Sequence, residues 1–210
     1  MVESQKSLLA NASHELRSPL ARLRMATEMF TLEPRDSARA EIVRNLGELD
    51  ELVEEILLKS RLGSNQPLVL DQHVDLLALA AEEAAAVDGE VEDGDAALLE
   101  RAVDNLLSNA IKFSGEGGVI EVLVAREDTQ AVITVRDHGD GLKPEEMSRI
   151  FEPFFRPEGR SESAGGWGLG LALVSEIAQL HGGRAYAAHA DDAGACFVVE
   201  ISRKALGRFV

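Results

Sequence analysis

The sequence predicts an α+β chain in which a helical hairpin precedes a domain of helices packed against antiparallel strands. Residues 1–62 contain a single glycine and repeat their apolar residues at helical spacing. Two later segments, "GVIEVLVAR" and "QAVITVRD", alternate apolar and polar residues as paired strands do. Most of the 18 glycines lie in the second half of the chain, where they cluster with polar residues.

The composition fits one or two small domains and narrows the possible functions. Of the 210 residues 45% are hydrophobic, but only 4% are aromatic, so aliphatic side chains must fill the core. The single cysteine, Cys196, excludes an intrachain disulfide and a cysteine metal cage, which fits a reducing compartment. A net charge of −16 argues against binding nucleic acid or an anionic membrane surface. No apolar run reaches the roughly 20 residues of a membrane span.

Residues 1–64 are predicted to form an antiparallel hairpin of two amphipathic helices. The turn between them is "TLEPRDSA", in which Pro34 breaks the helical pattern. Each helix carries an apolar stripe, and in the second helix the stripe is a heptad seam. Because two such helices cannot bury both stripes as an isolated pair, we expect a homodimer in which two hairpins form a four-helix bundle. The stripe residues are Leu9, Leu16, Leu20, Leu23 and Phe30, then Ile42, Leu46, Leu49, Val53 and Ile56.

A second domain, residues 65–210, begins within "RLGSNQPLVL", where glycine, asparagine and proline end the helical pattern. "DLLALAAEEAAAV" (residues 75–87) and "DAALLERAVDNLLSNAIKFS" (residues 95–114) are predicted helices. "ACFVVEIS" supplies a third strand. "GWGLGLALVSEIAQLHGG" is a glycine-rich loop leading into a helix that ends at Gly182. We therefore expect an α/β sandwich with its helices on one face of the sheet.

The segment "DNLLSNAIKF" places polar groups on one face of a predicted helix. Asn105 and Asn109 are four residues apart, and Lys112 lies one turn further on. Two amides and an ammonium are costly to bury without a polar partner, and phosphate with magnesium would be one. A solvated polar stripe is the alternative interpretation.

Two glycine-containing segments are further candidates for ligand binding. "DHGDG", residues 137–141, follows a strand; its glycines permit close backbone approach, and Asp137 offers a carboxylate to a donor such as an exocyclic amine. An ordinary turn would look the same. "GGWGLGL", residues 165–171, matches neither the dinucleotide-binding pattern nor a P-loop. It remains a natural anion site because it opens a helix.

Together, and in this order, these segments resemble the catalytic core of sensor histidine kinases, whose ATP-binding domain belongs to the gyrase and heat-shock-chaperone ATPase superfamily. "DNLLSNAIKF" resembles the N box, "DHGDG" the G1 box, "FEPFFR" (residues 151–156) the F box and "GGWGLGL" the G2 box. "SHELRSPL" resembles the H box of the dimerisation and phosphotransfer helix. The resemblance covers nearly the whole chain and implies an ATP-dependent protein histidine kinase of a two-component system.

The resemblance also implies roles for individual residues. His14 would take the γ-phosphoryl group of ATP, Glu15 would receive the imidazole proton, and Ser18 occupies a position tied to dephosphorylating the partner. Asn109 would hold Mg²⁺ with help from Asn105 and Lys112. Asp137 would bind the adenine amino group. The implied ATP-binding residues are Asn105, Asn109, Lys112, Phe113, Asp137, Gly139, Gly141, Arg156, Gly166, Gly168, Leu169, Gly170 and Leu171, with Phe151, Phe154 and Phe155 anchoring the adjoining lid.

The implied partners are a second copy of the chain and the receiver domain of a response regulator, whose aspartate would take the phosphoryl group. No nucleic acid partner and no direct membrane contact are expected for this stretch. A cytoplasmic location is expected, either for the chain alone or as the cytoplasmic part of a membrane-bound sensor.

Three other functions were weighed against this one. ATP hydrolases of the gyrase, chaperone or mismatch-repair type carry a water-activating glutamate where this chain has Asn105, which cannot act as a base. Anti-sigma-factor serine kinases share that glutamate and lack a histidine-bearing hairpin. A pseudokinase that binds ATP without using it is disfavoured by the intact His14–Glu15 pair.

The chain departs from the family pattern at several positions. Ser18 stands where threonine or asparagine is usual, and Trp167 stands where a small hydroxylated residue is common. Only "DGEVEDGD", residues 88–95, lies where a strand and its loop are expected, so we expect that strand to be missing or vestigial. The four histidines other than His14 are predicted to be solvated surface side chains: His73, His138, His181 and His189.

Overall fold

The computed structural model describes residues 2–33, 35–63, 72–74, 92–115, 118–127, 129–157, 166–190 and 193–202. The chain divides into two compact units, Met1–Gln66 and Pro67–Val210. The helix predicted over residues 75–87 lies outside the described residues.

The first unit is the predicted hairpin of two long helices, α1 (Val2–Leu32) and α2 (Asp36–Leu62). Asp36 lies in the first turn of α2 and Lys59 and Arg61 in its last, so charges of the right sign meet each end of the helix dipole. Pro19 lies inside α1, which continues through it. A guanidinium–carboxylate contact of 2.7 Å between Arg22 and Glu48 crosses the hairpin.

The second unit combines helices with two antiparallel sheets. In chain order its elements are β1 (Gln72–Val74), β2 (Glu92–Gly94), α3 (Ala96–Phe113), β3 (Glu121–Arg126), β4 (Gln130–Arg136), α4 (Pro144–Met147), α5 (Gly170–Leu180), β5 (Arg184–Ala188) and β6 (Cys196–Ser202). Strands β1 and β2 pair with each other, and the larger sheet has the order β3-β4-β6-β5. The α+β fold class and its helical hairpin are therefore confirmed.

The core of the second unit lies between the larger sheet and the helices α3 and α5. Alternate residues of β4 and five consecutive residues of β6 are buried, and the register places Ile133 opposite Val199 in this core. Helices α3 and α5 pack against each other and against the sheet. The side chain of Asp95 accepts the backbone N–H of Leu98 and so caps the N-terminus of α3. This packing holds the polar face of α3 and the C-terminal end of β4 in place.

The structure corrects one prediction about the histidines. His181 is fully buried rather than solvated. Its Nδ1–H donates to the carbonyl of Ile177 at 2.8 Å, and its Nε2 accepts the backbone N–H of Asp95 at 3.1 Å. The imidazole therefore joins the end of α5 to the start of α3. His138 and His189 are exposed, whereas the side chain of His73 lies outside the described residues.

Two short elements bear on the predicted strands. Residues 92–94 of the segment in which a strand was expected to be missing or vestigial form β2, which is three residues long. Strand β5, "RAYAA", was not predicted at all, and it pairs with β6 from Arg184 opposite Glu200 to Ala188 opposite Cys196.

Candidate active site

The proposed phosphoacceptor face lies on α1. His14 and Ser18 are both exposed and stand one helical turn apart, so they share a face of the helix. Glu15 is half-buried, and Pro19 is buried. The Oγ atom of Ser18 accepts a hydrogen bond of 3.0 Å from Arg22, a residue that the sequence analysis did not single out.

The C-terminal end of β4 carries the carboxylate of Asp137, which is only 2% exposed, next to a pocket lined in part by Gly141, Gly194 and Ala195. Its Oδ1 accepts the backbone N–H groups of Gly139 at 2.9 Å and Ala195 at 3.0 Å. Both of these hydrogen bonds end on Oδ1. The β5–β6 connection therefore orients this carboxylate through a contact across 58 positions, which no local pattern predicts.

Glycine is required at two positions of this pocket. A Cβ on Gly139 would overlap the carbonyl oxygen of Phe113 at the end of α3. Gly141 has a φ of +72°, and a Cβ there would come within 2.7 Å of the carbonyl oxygen of Gly194. The glycines hold the "DHGDG" turn close to α3 on one side and to the β5–β6 connection on the other.

The polar face of α3 meets the glycine-rich segment before α5. A Cβ on Gly170 would lie 3.0 Å from Oδ1 of Asn105, and one on Gly166 would lie 3.0 Å from Nζ of Lys112. Asn109, between them, is half-buried. The structure therefore brings the predicted N-box and G2-box residues together.

A cationic cluster lies where these two segments meet. Burial lowers the pKa of Lys112 from its usual 10.5, and the nearby Arg156 guanidinium lowers the pKa further. The guanidinium carbon of Arg156 lies 5.9 Å from the ring centroid of Trp167. The two positive charges repel each other, and a bound polyanion would offset this repulsion.

The F-box segment is tied to the glycine-rich segment by its backbone. Phe154 has a φ of +64°, and its N–H donates to the carbonyl of Gly168 at 2.8 Å. Gly168 has a φ of +71°, and a Cβ there would come within 2.7 Å of the carbonyl oxygen of Phe155. Phe151 packs edge-on against Phe197 of β6, with ring centroids 6.4 Å apart. Phe154 and Gly168 are thereby fixed to each other, and Phe151 fixes the start of the F-box segment to the sheet.

Comparison with known proteins agrees with this arrangement. Residues 4–65 match the His Kinase A (phospho-acceptor) domain, and residues 94–205, more than half of the chain, match the family described as histidine kinase-, DNA gyrase B-, and HSP90-like ATPase. The chain belongs to the sensor histidine kinase family.

Individual relatives of the kinase show how much of a longer protein it corresponds to. The sensor protein RstB of Escherichia coli (strain K12) is 35% identical over 199 residues, covering 87% of the kinase and 45% of RstB. The histidine kinase AdeS of Acinetobacter baumannii has the same fold, with a TM-score of 0.71 at 22% identity, over 90% of the kinase and 98% of AdeS. Full-length ShkA, solved in complex with AMPPNP, aligns over 93% of the kinase and 45% of ShkA, with a TM-score of 0.61 and 26% identity. The kinase thus spans about half the length of its first sequence relatives.

The described residues of the kinase fit a nucleotide carrying a magnesium ion. The Nδ2 atom of Asn105 is buried and has no hydrogen-bond partner within the described part of the chain, so a polar ligand would complete it. No cluster of three or more histidine, cysteine, aspartate or glutamate side chains suited to a metal occurs among the described residues. The amide oxygens of Asn105 and Asn109 are groups that suit the preference of magnesium for oxygen ligands.

Some implied residues of the kinase support the pocket from behind. Leu169 and Leu171 are buried, at 0% and 8% exposure, and anchor the glycine-rich segment in the core. The ring of Phe113 lies under the ammonium of Lys112, at 5.1 Å from its centroid. Direct contact of these three residues with a nucleotide stays a prediction.

In the described residues, no helix is long and apolar enough to cross a membrane.

Proposed function

We propose that the kinase transfers the γ-phosphoryl group of ATP to its own His14 and then passes it to an aspartate of a response regulator. The observation that carries this proposal is the exposed His14 beside Glu15, in a chain whose second unit builds a pocket around Asp137 and the polar face of α3. We assign phosphotransfer to residues 1–64 and nucleotide binding to residues 65–210, in a cytoplasmic setting.

The pocket would bind the two ends of ATP differently. Oδ2 of Asp137 would accept the exocyclic amine of adenine, for which Gly139 and Gly141 leave room beside the backbone. Lys112 and Arg156 would meet the phosphates and exchange their mutual repulsion for attraction to an anion. Asn109, with Asn105, would offer amide oxygens to Mg²⁺, which neutralises charge on the phosphates.

Phosphoryl transfer asks mainly for alignment and charge neutralisation. An imidazole nitrogen of His14 would attack the γ-phosphorus, the bond to the β–γ bridging oxygen would break, and ADP would leave with that electron pair. The carboxylate of Glu15 would take the imidazole proton. A phosphorylated histidine keeps a high transfer potential, so an aspartate carboxylate of a receiver domain can accept the group next.

We assign two further properties to the same hairpin, dimerisation and a second enzymatic activity. The exposed apolar residues of α1 and α2, among them Leu20, Leu46 and Val53, support a homodimer in which two hairpins form a four-helix bundle. Ser18, exposed one turn after His14, supports a second activity in which the kinase removes the phosphoryl group from the phosphorylated regulator.

The test is labelling with γ-labelled ATP and Mg²⁺. The wild-type protein should acquire label that is stable to alkali and labile to acid, as expected of a phosphohistidine. His14→Gln should abolish it, whereas the matched change His189→Gln, at another exposed histidine, should not. Asn109→Ala should lose label through loss of nucleotide, while Ser108→Ala, its exposed neighbour on α3, should retain it. Acid-stable label, or label surviving in His14→Gln, would overturn the proposal.

A further inference from the structure

Arg22 connects the hydroxyl of Ser18 to the second helix of the hairpin. Its Nη1–H donates to Oγ of Ser18 at 3.0 Å, its Nε–H to Oδ1 of Asn45 at 2.9 Å, and its Nη2–H to Oε2 of Glu48 at 2.7 Å. One planar guanidinium thus holds a group on α1 and two groups on α2 at once.

The far side of this network is fixed in the hairpin core. Asn45 is fully buried, and its Nδ2–H donates to the carbonyl of Glu41 at 2.7 Å, which orients the amide so that Oδ1 faces Arg22. Glu48 is about one-third exposed and adds an ion pair. Since both anchors sit on α2, the guanidinium cannot rotate away from Ser18 without losing contacts across the hairpin.

The bond from Arg22 decides what Ser18 can still offer. A serine hydroxyl has one O–H donor and two acceptor lone pairs, and Arg22 occupies one lone pair. The other two hydroxyls of α1 for which the structure gives hydrogen bonds, those of Thr27 and Thr31, donate instead to carbonyl oxygens one turn earlier. Ser18, which is exposed, thereby keeps its O–H and one lone pair for other partners.

We propose that Arg22 is a positioning residue for Ser18 in the removal of phosphate from the response regulator; this rests on the dephosphorylating activity proposed above. In that step water attacks the phosphorus, the bond between phosphorus and the aspartyl oxygen breaks, and the aspartate leaves as a carboxylate. The free lone pair of Ser18 accepts a hydrogen bond from the attacking water, and the O–H donates to a phosphoryl oxygen. The water's protons remain with the inorganic phosphate and solvent.

Arg24 provides a matched control for the experiment. It lies two residues further along α1, and its Nε–H bonds the carboxylate of Glu28 at 3.2 Å on the exposed surface of the same helix. Arg24→Ala therefore removes an arginine of similar charge without touching Ser18.

A panel of receiver domains is first tested for transfer of label from the phosphorylated kinase, and the domain that takes label fastest is chosen. This receiver domain is then phosphorylated with acetyl phosphate and used as the substrate. Its dephosphorylation is measured with Ser18→Ala, Arg22→Ala, the double variant and Arg24→Ala, each normalised to the autophosphorylation rate of the same preparation. We expect Arg22→Ala to lower kcat about tenfold with KM little changed, since a hydrogen bond from a charged donor is worth that order. The double variant should be no slower than Ser18→Ala alone, because Arg22 acts through Ser18.

The outcomes separate the two proposals. If Ser18→Ala dephosphorylates at the wild-type rate, the dephosphorylating role of Ser18 fails, and the role of Arg22 fails with it. If Ser18→Ala is slow while Arg22→Ala matches Arg24→Ala, only the inference about Arg22 is overturned. Additive losses in the double variant also overturn it, because they mean that Arg22 acts independently of Ser18.

Discussion

The two units of the chain differ in what they do with their apolar residues. In the described hairpin the buried apolar side chains are Ala12, Pro19, Ala26, Ala38 and Leu52, so Leu52 is the single large aliphatic one among them. The second unit buries large side chains throughout α3, α5, β4 and β6. The described exposed large apolar residues show the reverse distribution: eight lie on the hairpin (Leu20, Met25, Met29, Leu32, Val43, Leu46, Val53 and Leu57) and three on the second unit (Ile111, Val119 and Leu123).

The two units therefore differ in the source of their stability. A helical pair with one large buried side chain gains little from the hydrophobic effect on its own, which is why we propose that the hairpin associates with another copy. The second unit closes its own core, and Asp137 is buried in it. The proposed phosphoacceptor His14 is exposed on the hairpin.

Leu46→Glu is expected to have the largest effect, because it attacks the association directly. Leu46 belongs to the heptad seam and is 46% exposed on a single hairpin. In the proposed bundle its replacement would bury an unpaired carboxylate, which costs several kcal/mol. The dimer dissociation constant should therefore rise at least about a hundredfold, as measured by sedimentation over a concentration series.

The control for this variant is Glu51→Gln, at an exposed position of α2 that faces away from the seam in the heptad. It should dimerise like the wild type. Nucleotide binding by the second unit should be the same in both variants. A Leu46→Glu protein that sediments as a stable dimer would contradict an association built on this seam.

Leu173→Ala tests the opposite half of the comparison. Leu173 is fully buried in α5, so its truncation leaves a cavity and should lower the free energy of unfolding of the second unit by about 3–5 kcal/mol. Urea unfolding followed by the fluorescence of Trp167, the single tryptophan of the chain, measures this. The dimer dissociation constant should stay unchanged. Gln179→Ala, exposed on the same helix, is the control and should shift stability by less than about 0.5 kcal/mol.

His181→Ala probes a polar contact inside the same core. The imidazole satisfies the N–H of Asp95 and the carbonyl of Ile177 in a fully buried site. Removing it leaves the N–H of Asp95 without its partner, whereas the carbonyl of Ile177 keeps the backbone N–H of His181, so the change should cost about 1–3 kcal/mol. His189→Ala, at an exposed histidine of the same unit, should leave the urea midpoint where it is. Equal midpoints for the two variants would mean that water replaces the imidazole at no cost.

His181 also shows what the sequence could not predict. Local patterns were enough for α1, α2, β3, β4 and β6, since the helices carry a period of 3.6 in their apolar residues and the strands are rich in β-branched and other apolar residues. His181 precedes two glycines at a helix end, where a histidine is usually solvated, and its burial depends on Asp95, 86 positions away. Strand β5 escaped prediction because "RAYAA" has no alternation and takes its conformation from pairing with β6.

The candidate site divides in the same way. The family motifs are local, so His14, Asn109 and Asp137 were named from the sequence alone. The groups that orient site residues come from other elements: Ala195 bonds Asp137 across 58 positions, and Asn45 bonds Arg22, the partner of Ser18, across 23. The positive φ of Phe154 likewise depends on Gly168, beyond the lid segment. Motifs identify reacting groups, whereas the groups that position them come from tertiary contacts.

The smallest predicted effect is a change in stability with pH. In the hairpin Arg22 is paired with the carboxylate of Glu48, whereas in the second unit Lys112 lies near another cation, Arg156. Because the pKa of Lys112 is lowered from 10.5, the unfolded chain binds more protons than the folded one between the lowered pKa and 10.5. The contribution of Lys112 to the stability of the nucleotide-free protein should therefore rise with pH across that window. Solvent screening of this exposed side chain should keep the change below about 1 kcal/mol.

The measurement is the difference in free energy of unfolding between wild type and Lys112→Gln from pH 8 to pH 10.5, the range below the usual lysine value. Burial also raises the pKa values of Tyr186 and Cys196, so their contributions to stability fall as the pH rises. These contributions are the same in both proteins and cancel in the difference. Desolvation remains in Arg156→Gln, but the repulsion is gone, so the rise should become shallower there. A difference that falls with pH would contradict the lowered pKa, and an unchanged slope in Arg156→Gln would leave burial as its only cause.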